Sequence, residues 1–348
     1  NLNIGFRFDS QESAAIGLNF GVNNNKIRGF KGSFTSRLSY NPSVSATASY
    51  MTALLPAVNL SYKFKKSDLD LSDGHSAEIN SKYYRHNIQL YLSEFYSRYL
   101  TSGVGVENDI FTPYKVFYSN DINLPQDTRT INTLGAFGFV KFDNKDQKHF
   151  ATRGVEAYVD IKWKFWEFVE NIGNEYHFGS TLIRFTGYIP LHKRVTFIPQ
   201  LYGSFLYGRD AFSGTYNGWN KNFSGPIPAY SVYNNIFGGS MSGRYLDQQL
   251  PWIGTNKPTL GFNETLVLRT DLRVNLFRKH YLTAMFNYLR DGIDFKNFFK
   301  QEEELLWPGM YDHNAYNAWG CGVQYSIDTK IGPISLDVSY SDITNKVA

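Results

Sequence analysis

Residues 155–166 read VEAYVDIKWKFW. Val155, Ala157, Val159, Ile161, Trp163 and Phe165 share one parity; Glu156, Tyr158, Asp160, Lys162, Lys164 and Trp166 share the other. Successive side chains of a strand point to opposite faces, so this stretch predicts a strand with one apolar and one polar face. Large aromatics stand on the apolar face and charges stack on the other. That arrangement fits a wall between hydrocarbon and water.

The same alternation recurs outward from this point. In TLVLRTDLRVNLF, 265–277, Leu266, Leu268, Thr270, Leu272, Val274 and Leu276 oppose Thr265, Val267, Arg269, Asp271, Arg273 and Asn275. WGCGVQYSIDT, 319–329, repeats it, and after the turn Ile331-Gly332-Pro333 so do Ile334, Leu336, Val338 and Tyr340 against Ser335, Asp337 and Ser339. Segments of this kind fall at 3–9, 13–22, 29–40, 43–52, 56–66, 81–92, 98–108, 131–142, 154–165, 181–190, 195–207, 263–276, 280–290, 318–328 and 333–341. Short helical turns are expected near 165–171 and 298–306, both in connections.

A soluble β-sandwich also alternates, but its strands run to about 5–6 residues. A strand crossing a bilayer needs about 9–11, which these segments match. Asp9 to Ser13, Tyr40 to Ser43 and Pro190 to Arg194 read as tight turns, whereas 109–130 and 208–260 read as long loops. Tight turns at one end and long loops at the other mark an outer-membrane barrel. The expected fold is therefore all-β, an antiparallel transmembrane β-barrel forming a single domain over 1–348.

Composition agrees once alternation is allowed for. The chain of 348 residues is 42% hydrophobic, 17% aromatic and 19% charged. That is too aromatic and too sparsely charged for a disordered chain. Its mean hydropathy of −0.36 is the average of an apolar outer face, a charged lumen and wet loops. The net charge of +4 is spread thinly, and KFKK (63–66) and RKH (278–280) are the longest basic clusters, so nucleic acid is not an expected partner. A single cysteine, Cys321, excludes an internal disulfide and a cysteine zinc site.

No catalytic constellation is found. GGSMSGR, 238–244, lacks the nucleophile-elbow spacing, because Ser242 stands where the last glycine belongs. HExxH, P-loop, dinucleotide and EF-hand patterns are absent, and the seven histidines are scattered. No catalytic residue, metal or cofactor is expected, and this chain is read as a non-enzyme.

Three stretches carry a resemblance: NLNIGFRFDSQESAAIGLNF (1–20), FGGSMSGRYLDQQLPWIG (237–254) and GPISLDVSYSD (332–342). In order and spacing they resemble the bacterial surface-antigen barrel family, which includes outer-membrane assembly factors and two-partner secretion transporters. They look most like the branch in which the barrel follows a patatin-like phospholipase domain. The resemblance implies a 16-stranded barrel whose long sixth outer loop folds into the lumen, and 208–260 occupies that place. It also implies that Arg244, flanked by Gly243 and Tyr245, latches onto lumenal carboxylates. The order here is Gly-Arg-Tyr, whereas the family's usual order is Arg-Gly followed by an aromatic. Candidate acidic partners are Asp271 and Asp291, then Glu264 and Asp160.

Fifteen strands are an odd count where single-chain bacterial barrels have even ones. A closing strand is therefore expected outside the chain, and the opening pattern suggests an exported N-terminal region upstream. In the family the junction of first and last strands is openable, and Gly5 would sit in one lip of it. The implied work is protein translocation or insertion, or display of an upstream patatin-like lipase. Expected partners are outer-membrane lipids and lipopolysaccharide, a client or passenger polypeptide and a second copy of the chain. The rival is a passive porin, for which the lumen-parity charges at 156–164 and 269–273 speak.

Overall fold

The computed structural model describes residues 2–9, 13–23, 29–51, 56–72, 78–95, 98–118, 130–169, 178–207, 235–239, 249–255, 258–261, 264–292, 298, 315–329, 332–343 and 346–347. The wall begins with β1 (Leu2–Asp9), β2 (Ser13–Asn23), β3 (Phe30–Leu38), β4 (Ser43–Tyr50), β5 (Ala57–Ser72) and β6 (Glu78–Phe95). It continues with β7 (Leu100–Tyr118), β8 (Ile131–Asp143), β9 (Gly154–Val169), β10 (Phe178–His192) and β11 (Val195–Tyr207). Three short strands, β12 (Ile236–Gly238), β13 (Gln249–Leu250) and β14 (Pro258–Leu260), lie inside the long loop. The wall resumes with β15 (Glu264–Phe277), β16 (His280–Gly292), β17 (Ala315–Thr329) and β18 (Gly332–Ser341), and a two-residue β19 (Lys346–Val347) pairs with β18.

Each wall strand pairs antiparallel with its neighbour in sequence, and β11 passes directly to β15. These are the fifteen strands expected from alternation. Among the described residues β1 pairs only with β2, and no pairing joins β1 to β18 or β19.

The outer face follows the predicted parity. Ile161, Trp163 and Phe165 of β9 are exposed, as are Leu268 and Leu272 of β15 and Val323 and Tyr325 of β17. Between them Lys164, Arg269, Asp271 and Arg273 are buried on the inner side. Hydrocarbon is the only surrounding that makes such an exposed row of leucine, isoleucine and tryptophan stable.

Two expectations need correction. Residues 165–169, expected to start a helical turn, continue β9, and residues 109–118, expected in a loop, belong to β7. Strands β5 to β9 are 16, 18, 19, 13 and 16 residues long. Crossing needs about 9–11, so this side of the wall stands beyond the bilayer, where polar and aromatic residues mix and the lipid-facing alternation fades. Of the stretch 298–306, only Phe298 is described, and it is helical.

Strand direction also re-sorts the turns. The connections 10–12, 39–42, 73–77, 119–130, 170–177, 208–263 and 293–314 share one end, here the loop end. Those at 24–29, 51–56, 96–99, 144–153, 193–194, 278–279 and 330–331 share the other, the turn end. The tight turns after Asp9 and after Tyr40 thus lie with the long loops, while the one after Pro190 lies opposite. Counting along the loop end, 208–263 is the sixth connection.

Candidate functional site: a loop packed on the inner wall

The lumen of a barrel is ordinarily polar, yet one row of lumen-facing residues here is not. Tyr202 of β11, Val267 of β15, Leu289 of β16 and Ala318 of β17 are lateral neighbours across four strands. Val267 and Leu289 are 0% exposed because the long loop covers them. Phe237, Leu250 and Trp252 of the loop complete one apolar cluster with Val267, Leu289, Ala318 and Leu182 of β10. Phe237 meets Trp252 edge to face, with centroids 6.1 Å apart. The loop is therefore folded into the barrel by the hydrophobic effect acting on a patch the wall prepares.

Polar anchors flank that patch on both sides. One row toward the loop end, Asn235 donates to the Ser204 carbonyl at 2.9 Å and to the Thr265 hydroxyl at 3.1 Å. Ser204 donates back to Asn235 at 2.6 Å, and Thr265 donates to Asp291 at 2.6 Å. One row toward the turn end, the Ile253 amide donates to Asn287 at 2.9 Å. Rows on one face are two residues apart, so the loop descends about 14 Å along the wall, at about 3.4 Å per residue.

Two glycines make the lower contact possible. A Cβ on Gly320 would stand 2.5 Å from the Ile253 carbonyl oxygen. Gly254 has φ of +99°, and a Cβ there would stand 2.6 Å from the Tyr340 carbonyl carbon on β18. The loop backbone thus lies against β17 and β18, the last long strands of the sheet. Gly320→Val should lift the loop off this edge, seen as faster proteolysis within 235–261 of the folded barrel. Equal protection of variant and parent would count against the contact.

At the other end of its course the loop reaches the opposite wall. Thr259 of β14 pairs in parallel with Ser72 at the tip of β5, while β14 also pairs with β12. The loop therefore spans from β5 to β18.

The predicted site residues separate into groups. Gly243, Arg244 and Tyr245 lie outside the described residues. Asp291, Thr265, Ser204, Leu182 and Asp160 form one lateral row from β16 to β9, with Glu264 beside Thr265 at the head of β15. Asp160 and Asp291 are four strands apart, about 19 Å along the wall at about 4.8 Å per strand. Asp160 lies 3.8 Å from Lys162. Glu264 and Asp291 are 3% and 0% exposed at the loop's root. Asp271 is engaged elsewhere: Arg269 grips it through Nε and Nη2, both at 2.8 Å, and Gln200 adds a bond at 2.8 Å. Gly5 faces Gly17 across β1 and β2.

Other lumen charges are consumed in pairs. Glu107 of β7, 1% exposed, takes Lys164 at 2.8 Å and Lys162 at 3.3 Å from two strands away, with Gln89 at 2.9 Å. Arg85 forks onto Asp109, both bonds 2.8 Å. At the turn end Arg273 donates to the Ala151 carbonyl and lies under the stacked rings of Phe150 and Tyr281, which are 4.2 Å apart. The charges at 156–164 and 269–273, which favoured a porin, are thus largely tied to one another or to the 144–153 turn. Among the described residues no cluster of histidine, cysteine, aspartate or glutamate could hold a metal.

A sheet of this length, lipid-facing outside and filled by its sixth loop, is matched by the family model of the OMP85 superfamily over residues 49–348. The chain belongs to the OMP85 superfamily. It is an integral outer-membrane β-barrel.

No curated protein sequence matches it. Among solved structures, BamA from Haemophilus ducreyi lacking POTRA domains 1–3 is similar over 98% of this chain and 66% of that one, with TM-score 0.67 and 13% identity. CdiB from Acinetobacter baumannii is similar over 98% of this chain and 59% of its own, with TM-score 0.51 and 11% identity. CdiB from Escherichia coli gives 97% and 58%, with TM-score 0.52 and 12% identity. At such identities the likeness is one of fold, and this OMP85 barrel spans two thirds or less of each of those chains.

Sequence reasoning found the loop but missed the wall patch it sits on. The signal was present: Val267 and Leu289 are apolar residues at the parity that otherwise carries Arg269, Asp271, Asn287 and Asp291.

Proposed function

We propose that this OMP85 barrel inserts or translocates polypeptide at the outer membrane, with the sixth loop as the element that must leave the wall. The loop's apolar seat against β15 to β18 carries the reading. It links the lumen filling directly to the strands next to the open edge of the sheet, where a client strand could add by edge pairing. A sixteenth strand supplied from outside residues 1–348 would complete the barrel, and its junction with β1, where Gly5 and Gly17 face each other, would be the weak lip. Arg244 would close the latch on an acid of this region, either Asp291 with Glu264 beside it or, four strands away, Asp160. Anchoring of an upstream patatin-like lipase is the finer variant of this reading, and it rests on the sequence resemblance.

A tether tests it. In a Cys321→Ser background, Ile253→Cys with Asn287→Cys would bond the loop to β16. Cells carrying only this variant should lose particular surface or outer-membrane polypeptides under oxidising conditions and regain them on reduction. An unchanged outer-membrane protein profile with the bond formed would refute the role. Arg244→Ala should leave the barrel folded but loosen the loop; unchanged loop mobility and heat-modifiability would remove Arg244 from the latch.

A further inference from the structure

The two sides of the lumen differ in a way the translocation reading does not require. Under the loop and the 144–153 turn, Arg269, Asp271 and Arg273 are 8%, 5% and 8% exposed. On β3 and β5, by contrast, Lys31, Ser33 and Lys63 are exposed, together with Asn19 of β2. All four have inward parity, since Phe20, Phe34, Val58 and Leu60 are the exposed apolar residues of the outer face on these strands. Lys63 sits between Ser45 of β4 and Asn87 of β6, well inside the wall and not at a rim. An exposed lysine at such a position means water beside it.

The charges of this face have one sign, with Lys31 and Lys63 exposed, Arg37 and Lys65 half-buried, and the smaller inward residues Ala15, Ala57, Asn59, Ser61 and Ser67 buried between them. The inward positions of β2 to β4, and of β5 as far as Ser67, include Lys31, Arg37, Lys63 and Lys65 and no carboxylate. Hydroxyls fill most of the remainder: Ser45, Thr47 and Ser49 on β4, and Thr35 and Ser61 beside them. The nearest acid across the wall from Lys63 is Asp109, two strands on, and Arg85 already forks onto it.

We propose that the β2–β5 face lines an aqueous path along the lumen that favours small anions over cations. Like charges on a low-dielectric wall focus a field of one sign and concentrate the opposite ion. Rings of lysine and arginine give anion pores for that reason. The described part of the loop packs against the far wall, from β10 to β18, and meets the β2–β5 side at Ser72, at the loop-end tip of β5.

Bilayer recordings of the purified whole protein, including the strand that completes the barrel, across a tenfold KCl gradient test it. The reversal potential should show chloride passing about threefold or more over potassium, in the parent or at least in Trp252→Ala, whose loop is released. Lys31→Glu with Lys63→Glu should carry that ratio below unity. A second readout needs no conductance. In a Cys321→Ser background, Ser45→Cys should react with an anionic methanethiosulfonate several-fold faster, relative to a cationic one, than a free thiol does. Adding Lys63→Glu should reverse that preference. Cation preference, ratios unmoved by the charge reversals, or silence even from the loop-released variant would each overturn the proposal.

Discussion

Trp252→Ala is expected to cost about 3–5 kcal/mol, the range for emptying a fully buried aromatic site, and to free the sixth loop without dissolving the wall. Trp252 is 0% exposed, meets Phe237 edge to face and belongs to one apolar cluster with Val267, Leu289 and Ala318 of the wall. Its removal leaves a void that the antiparallel wall strands cannot fill by moving, because their ladders fix them. Phe237 then loses its ring partner and the cluster its largest member, so the seat fails as a unit. Denaturant unfolding in detergent micelles should show the loss, and limited trypsin treatment should cut the folded barrel between 235 and 261. Trp252→Phe should keep more of the stability. If Trp252→Ala unfolded at the parent midpoint with the loop still protected, the apolar seat would not hold the loop.

Arg269→Met is expected to destabilise the barrel by about 3–5 kcal/mol, the cost of stranding a buried charge. Its guanidinium makes both contacts to Asp271 on the same strand, and both residues are less than 9% exposed. Gln200 is the further donor to that carboxylate, a neutral one. Replacing both partners, as Arg269→Met with Asp271→Leu, should recover most of the loss, because no uncompensated charge remains. A single variant no worse than the double would show that the pair contributes nothing by its charge.

The same pair shows how far the candidate site could be read from sequence. Asp271 has the lumen parity expected of it, and among the described residues it is gripped by Arg269, two residues away. Parity says which residues share a face. It does not say which of several cations on that face reaches a given acid. Glu107 makes the point over a longer range: Lys162 and Lys164 reach it from β9, across β8, and Lys162 is 55 positions from Glu107 in sequence.

Errors in the strand boundaries have a physical pattern. The wall at β5 to β9 rises past the bilayer, and there both faces meet water, so alternation weakens although the ladder of backbone hydrogen bonds continues. Residues 165–169 and 109–118 are in that zone. Within the bilayer the strands were legible almost residue by residue.

The sequence by itself determined the strands, their two faces, the place of the sixth loop and the kind of membrane they suit. A period of two is a local property, and lipid on one side with water on the other imposes it at every crossing. Only the tertiary structure decided where the loop lies, which charges cancel and which side of the lumen stays wet. Those depend on register across ten or more strands and on a loop returning to a wall built before and after it. Val267 and Leu289 were visible as apolar residues on a polar face, but what covers them is 15 to 52 residues away in sequence and meets them only when the sheet curls.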